Sequence, residues 1–328
     1  MKAAVVTGNC TVAVKEMPEP QITKPSEIKI KVICGAICNT TDNKVYFTDT
    51  PEDNWPNMPF PFIIGHECVG RVVEKGTQVN EVNIGDRVVY WTVNGKAFAD
   101  YLILDTLASA VVSIGDSVPN NTAAIMEMVI GAARLLFTPN GEKLIKRGDL
   151  VVIIGLGPAG LIYHSLARML EAEKICAVGR RKYRLEKALE MGATAAVDSD
   201  EKGYIEQTLN ALGGKPDIII DATGGDTVED IIALAKPDTR IIAYGIPPFD
   251  WKDKEPLLIA AGLKPPQGMG LSSAKAAASH CVNWVESGKS NLEKVISHKL
   301  PLEQVGRGLD MCRLEKDSTL KIVISINE

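Results

Sequence analysis

The chain has 328 residues, 45% of them hydrophobic and 23% charged, with 36 basic against 41 acidic side chains and a net charge of −5. That length gives room for two domains with substantial cores, and the composition is that of an ordinary globular protein. The mild acidity gives no general attraction for nucleic acid or an anionic membrane, and no apolar run approaches the roughly 20 residues that span a bilayer.

Met1-Lys2-Ala3-Ala4-Val5-Val6 opens straight into a strand-like segment without a signal-peptide pattern, so a cytoplasmic location is expected. Alternation and turn signals predict short strands over residues 1–125. Glu27-Ile28-Lys29-Ile30-Lys31-Val32 alternates like a half-exposed strand. Gly70–Gly76 and Gly85–Val89 are short apolar strands set between Gly and Asn turns. Many such strands predict a barrel-like antiparallel unit. From Thr122 the rhythm turns helical and leads into the second half of the chain.

Leu150-Val151-Val152-Ile153-Ile154 is a continuous apolar run, as in a buried parallel strand. Gly155, Gly157 and Gly160 follow at once, with Pro158 and Ala159 in the same loop, and Leu161–Leu170 then reads as a helix. Strand, Gly-x-Gly-x-x-Gly, helix is the setting of a dinucleotide site. The first glycine permits a tight turn, the second lets backbone approach a pyrophosphate, and the third lets helix pack on strand. The helix N-terminus turns its positive end to the phosphates.

The next strand, Lys174–Val178, ends where an NAD site usually places a carboxylate for the ribose 2′-hydroxyl. Gly179, Arg180 and Arg181 stand there instead. Nothing repels a 2′-phosphate and two guanidinium groups can pair with one, so NADP(H) is expected over NAD(H). The same arginines, with Arg184 beyond, also suit a solvated strand end. Strands at 194–197, 217–221 and 240–244 alternate with helices such as Tyr183–Met191 and Val228–Ala235, which predicts a doubly wound parallel sheet. Thr223 and Gly224, just past Asp221, fall at a strand's carboxyl end, where ligands lie in such sheets. A helix near Ala274–Glu286 and a last strand, Leu320–Ile326, complete the chain.

Seven cysteines, an odd number with no Cys-x-x-Cys cluster, argue against a disulfide framework and a four-cysteine metal site. Cys38 has distinctive company: Gly65-His66-Glu67 and Glu127, in a chain with four histidines. Thiolate, imidazole and carboxylate are zinc-ligand types. Spacing alone favours the plainer set: a core thiol, a satisfied core histidine and surface carboxylates. Glu67 reads either as a direct ligand or as a group behind the metal. Tyr46, Phe47, Trp55 and Trp91 are pocket or core aromatics.

Six stretches carry a family resemblance in order along nearly the whole chain. They are Gly35-Ala36-Ile37-Cys38, Pro61–Gly76 around Gly65-His66-Glu67, Val82–Val88, Phe98-Ala99-Asp100-Tyr101, the Gly155–Gly160 loop and Met191-Gly192-Ala193-Thr194. Together they resemble the zinc-dependent medium-chain dehydrogenases. The resemblance implies a partly open, GroES-like barrel domain (1–125), a Rossmann domain (126–265) and a segment returning to the first (266–328). Substrate and nicotinamide would meet in the cleft between the domains. It implies one catalytic zinc on Cys38, His66 and Glu127 with Glu67 beside it, Thr40 as proton relay, and Arg180 and Arg181 as 2′-phosphate contacts.

Three departures mark a shortened member. Where members carry Asp three residues after the cysteine, Thr41 stands, and Asp42 follows; support of the metal then depends on a loop shifted by one. Val89–Phe98 closes the gap where many members insert a lobe for a structural zinc, so none is expected. Met128 replaces the proline that often follows the third ligand.

The activity implied is hydride transfer between NADP(H) and a small-molecule secondary alcohol or ketone, with polyols and sugars foremost. A homodimer or homotetramer is implied, with 240–265 as the interface. Two other readings stand beside it: a zinc-independent quinone or enoyl reductase of the same superfamily, and a nucleotide-binding protein without turnover.

Overall fold

The computed structural model describes residues 1–47, 60–92, 95–245, 251–266 and 270–328, so Trp55 and the Val93-Asn94 pair lie outside the described residues. In chain order the elements begin with β1 (Lys2–Gly8), β2 (Thr11–Glu16), β3 (Glu27–Ala36), α1 (Thr41–Tyr46), β4 (Phe62–Ile63), β5 (Glu67–Lys75), β6 (Arg87–Trp91), β7 (Tyr101–Asp105), β8 (Ala110–Ser113), α2 (Asn120–Ala124) and α3 (Met126–Ala133). Then follow β9 (Leu150–Ile154), α4 (Pro158–Met169), β10 (Lys174–Gly179), α5 (Lys182–Glu190), β11 (Ala195–Asp198), α6 (Tyr204–Leu212), β12 (Ile218–Asp221), α7 (Val228–Leu234), β13 (Arg240–Ala243) and α8 (Trp251–Ala260). The chain closes with α9 (Leu271–Glu286), β14 (Ile296–Pro301), α10 (Val305–Leu314) and β15 (Lys321–Ser325). They form two units: Met1–Gly131 with Ala277–Lys289 and Ile296–Glu328, and Ala132–Ala276 with Ser290–Val295.

The first unit is built around β3, which pairs with β5, β7 and β15 in a seven-stranded sheet ordered β14-β15-β3-β5-β6-β8, with β7 also on β3. A smaller sheet, β2-β1-β4, is antiparallel. Ile28, Ile30, Val32, Val72, Val88, Tyr90, Phe98 and Ile322 fill the core. The alternation at Glu27–Val32 predicts half exposure, but Glu27 and Lys29 are buried. Each has a partner that makes burial tolerable. Glu27 accepts hydrogen bonds from the Thr23 and Lys24 amides at 2.7 and 3.0 Å, and Lys29 is ion-paired with Glu19.

The second unit is a five-stranded parallel sheet ordered β11-β10-β9-β12-β13. The order reverses at β9, which pairs β10 on one side and β12 on the other. That reversal is the switch point where such sheets bind ligands. The five expected strands are all present, within a residue at each end. Helix α6, between Gly203 and Gly213, is one of the helices expected to alternate with these strands.

Inside α4, His164 is fully buried, its Nδ1 donating to the Gly160 carbonyl at 2.7 Å while Nε2 has no partner. Burial pushes its pKa down to about 4, against the opposing pull of the Gly160 and Leu161 carbonyls. The imidazole is therefore neutral when folded, and a contribution of roughly 3 kcal/mol, complete above the unfolded value near 6.5, is lost as the pH falls towards the folded one. His164→Gln keeps a donor but does not titrate. Its urea stability should decline less than the parent's between pH 7 and pH 4, by about that amount; parallel decline would show that His164 is not the titrating group.

Candidate metal centre and cofactor loop

The register of β3 assembles the first site. Ala36 lies opposite Glu67 on one side and Val323 on the other, and the Ile37 amide donates to Ile322 at 2.9 Å. The chain therefore leaves β3 at Cys38 between the start of β5 and the start of β15. Three glycines make the packing possible. Gly65 turns the chain into His66 with φ +94°, and a Cβ there or at Gly35 would strike the Phe98 ring at 2.8 Å. A Cβ on Gly95 would lie 2.4 Å from the His66 Cα.

The donor atoms of Cys38, His66 and Glu67 all fall within 4.8 Å of one another. Glu127, buried in the first turn of α3, stands outside that close trio with Oε2 4.0 Å from His66 Nε2. Asp42 settles the question raised by Thr41. Its Oδ1 lies 3.3 Å from His66 Nδ1, and its Oδ2 accepts from the Cys38 amide at 2.8 Å. The Thr41 amide points to the Cys38 sulfur at 3.4 Å. The loop is shifted by one, and the carboxylate still orients the imidazole through its other nitrogen. Thr40 is exposed just before α1, where its carbonyl accepts from the Lys44 amide at 2.9 Å.

Lys321 is the member that sequence reasoning missed. Its Nζ meets Glu67 Oε1 at 2.6 Å, with both side chains 1% exposed. The other carboxylate oxygen of Glu67 is buried without a partner. One signal was available: a lysine in the otherwise apolar run Leu320–Ile324.

Burial pushes the Cys38 thiol up, but His66 overrides it and holds the thiol below its usual range. Burial works against charge on His66 too, yet Asp42 and Cys38 hold it well above an ordinary histidine. Burial lifts Glu67 in spite of Lys321, and lifts Glu127 to about 8. Opposite charge on Cys38 and His66 is thus mutually favoured, while burial works against charge on Glu67 and Glu127. A sulfur, an imidazole and two carboxylates, one with an orphaned buried oxygen, fit a divalent ion such as zinc.

In the second unit the three loop glycines have different neighbours. Gly155 takes φ +96°, donates to Val178 at 2.9 Å, and would drive a Cβ into Thr223 at 2.8 Å. Gly157 caps α4, and its Cβ would meet nothing within 4 Å. A Cβ on Gly160 would lie 1.9 Å from the Gly155 carbonyl oxygen. Pro158 occupies the first helical position, with Ala159 next.

Gly179 packs on Leu156, where a Cβ would come within 2.6 Å. Arg180 is exposed, and Arg181 caps α5, its carbonyl accepting from the Arg184 and Leu185 amides; the first turn of α5 holds no acidic residue. Asp221 organises the loop after β12. Its Oδ1 takes both the amide and the hydroxyl of Thr223, and its Oδ2 takes Thr227 at 2.9 Å. Gly245 backs onto Gly224, where a Cβ would sit 2.1 Å from the Gly224 nitrogen.

A GroES-like unit carrying a metal-binding cluster and a Rossmann unit carrying a dinucleotide loop define a nicotinamide-dependent oxidoreductase. Residues 24–120 match the alcohol dehydrogenase GroES-like domain, and residues 158–264 match the zinc-binding dehydrogenase domain. The chain belongs to the zinc-type medium-chain alcohol dehydrogenases, enzymes of hydroxy compounds that work with zinc and a nicotinamide cofactor.

It is 25% identical over 350 residues to sorbitol dehydrogenase of Bombyx mori, covering 99% of this chain and 98% of that one. It is 27% identical over 343 residues to L-threonine 3-dehydrogenase of Yersinia pestis (strain Pestoides F), covering 94% and 95%. The crystal structure of galactitol-1-phosphate dehydrogenase from Escherichia coli shares the fold, with a TM-score of 0.82 at 19% identity over 99% of this chain and 100% of that one. Among the described residues no helix is long and apolar enough to cross a membrane.

Proposed function

We propose that the chain transfers hydride reversibly between NADP(H) and a secondary alcohol or ketone, with polyols, sugars and related hydroxy compounds as substrates. The observation that carries this reading is the close approach of Cys38, His66 and Glu67, with Glu127 beside His66. Likeness to a sorbitol and a threonine dehydrogenase supports the substrate class.

In this reading Cys38, His66 and Glu127 hold zinc, and Glu67 serves as a direct ligand or stands behind it. When bound, the ion supplies Lewis acidity at the substrate oxygen and the nicotinamide exchanges the hydride. The protein's own work is positional and acid–base. Asp42 fixes the His66 ring, and Thr40, already exposed, passes the alcohol proton to solvent. Gly155, Gly157, Pro158, Ala159 and Gly160 cradle the pyrophosphate, while Gly179, Thr223 and Gly224 line the nucleotide. The cytoplasmic location and the homodimer or homotetramer belong to the same reading. Leu257 and Ile259, exposed on α8, support an interface within 240–265.

The experiment is metal analysis of the purified protein with assays on sorbitol, threonine and 2,3-butanediol using both cofactors. One zinc per chain and NADP-linked oxidation are expected; turnover by metal-free protein would overturn the reading. The preference for NADP(H) rests on Arg180, Arg181 and the acid-free N-terminus of α5. Charge-assisted hydrogen bonds contribute about 1.5–3 kcal/mol each. Replacing both arginines by alanine should therefore lower the NADP-to-NAD ratio of kcat/KM at least about tenfold. An unchanged ratio would assign the arginines to solvent.

A further inference from the structure

We propose that the carboxylate of Asp221 biases the cofactor site by its charge: it favours binding of the oxidised, positively charged nicotinamide over the reduced, neutral one. The proposal rests on the cofactor reading above. Three observations carry it.

The first is an unbalanced buried charge. Asp221 is 1% exposed, yet no cationic side chain among the described residues is ion-paired with it. Aspartate is almost never so buried without such a partner. Lys254, on α8, is held by Asp226 at 2.7 Å. The N-terminus of α7 brings no relief, because Glu229 and Asp230 already stand in its first turn. Only neutral groups donate to Asp221: the Thr223 amide at 2.9 Å, and the hydroxyls of Thr223 and Thr227 at 2.7 and 2.9 Å. An asparagine would fill the same space, accept both Thr223 bonds on its oxygen and donate to the Thr227 hydroxyl. The loop needs the shape of Asp221 but not its charge.

The second is position. Asp221 ends β12 and lies opposite Ile154 at the end of β9, where the strand order reverses. A dinucleotide lies across such a reversal, with one nucleotide half on each side. Gly179, Arg180 and Arg181, at the end of β10, take the adenosine half in this reading. The nicotinamide half is then left to the β12 side.

The third is that the charge has one fixed place. The Tyr244 and Gly245 amides donate to the Asp221 carbonyl at 2.8 and 3.1 Å, tying the end of β12 to the end of β13. A Cβ on Gly155 would meet Thr223 at 2.8 Å, and one on Gly245 would lie 2.1 Å from the Gly224 nitrogen. The loop that Asp221 organises is therefore packed between the first cofactor glycine and the residue after Tyr244. A fixed anion there attracts a cationic ring and is indifferent to a neutral one. The phosphates are common to both forms, so their repulsion by Asp221 cancels when the forms are compared. Holding the oxidised form more tightly makes the bound reduced form the stronger hydride donor, which favours ketone reduction.

The test measures dissociation constants on the full chain, for NADPH by fluorescence titration and for NADP+ by calorimetry, with NADH and NAD+ alongside. The chains are the parent, Asp221→Asn, Asp221→Ser and Thr227→Val, each checked by thermal unfolding. The ratio of Kd for the oxidised form to Kd for the reduced form should rise at least about fivefold in Asp221→Asn and Asp221→Ser. It should stay at the parent value in Thr227→Val, which loses one bond to Asp221 and keeps the charge. Asp221→Ser carries the test if Asp221→Asn does not fold. A purely structural role would weaken both forms by the same factor; that result, or an equal shift in Thr227→Val, would overturn the proposal. A parent chain that binds neither NADP(H) nor NAD(H) would overturn the cofactor reading itself, and this inference with it.

Discussion

Cys38→Ser should yield a folded protein that carries no zinc and does not turn over. Serine fills the space of cysteine, and its oxygen can accept the Thr41 amide that now points to sulfur at 3.4 Å. The loop therefore has little reason to unfold, and Asp42 keeps its bond to the amide of residue 38. What is lost is the anion. His66 holds the Cys38 thiol below its usual range in spite of burial, whereas a hydroxyl stays protonated at neutral pH and is a poor ligand for a borderline-soft ion. A Lewis acid contributes several kcal/mol to carbonyl polarisation, so kcat/KM should fall by roughly a thousandfold or more. Elemental analysis, circular dichroism and steady-state kinetics on one preparation check this. Parental turnover in a zinc-free, folded variant would remove the metal from the mechanism.

Gly160→Ala and Gly157→Ala should separate two kinds of damage. At Gly160 the added methyl would overlap the Gly155 carbonyl oxygen at 1.9 Å, and both partners are backbone. Relief requires α4 to move away from the loop, but Leu161, Ile162, Tyr163, Leu166 and Ala167 pack that helix into the core. Overpacking of this kind costs about 3 kcal/mol, and cofactor binding falls with it. At Gly157 a methyl meets no protein atom within 4 Å. Melting without cofactor should be unchanged there to within about 0.5 kcal/mol. NADPH affinity should still fall at least about tenfold, because the methyl occupies the ground where the pyrophosphate is expected. Thermal unfolding and NADPH fluorescence titration separate the two. Equal NADPH affinity in Gly157→Ala and the parent would place the phosphates elsewhere.

The second unit was the more legible of the two, because its signals are local. Apolar runs of strand length, the switch to helical rhythm at Leu161 and the glycines between them lie within about 20 residues, and the parallel sheet follows from repeating that unit. The first unit depends on pairings between distant strands. Alternation marked Glu27 and Lys29 as exposed because their partners, the Thr23 amide and Glu19, cannot be seen from β3 alone. Cys38, His66, Glu67 and Glu127 were singled out by residue type and family likeness. That Asp42 rather than Thr41 supports His66 needed the loop's actual path. Lys321 lies 254 positions from Glu67, and only the register of β15 on β3 joins them.

That register also sets an order of events during synthesis. β3 pairs with β15, and the whole second unit is translated between them. While the ribosome is still making the Rossmann segment, the nascent chain has Cys38, His66 and Glu127 but no counter-charge for Glu67 and no outer strands to complete the large sheet. The Rossmann segment, whose sheet pairs only its own strands, is free to mature first. The half that carries Cys38, His66 and Glu67 acquires its final wall only once β15 has left the exit tunnel, so that cluster is completed after the Rossmann segment has been made.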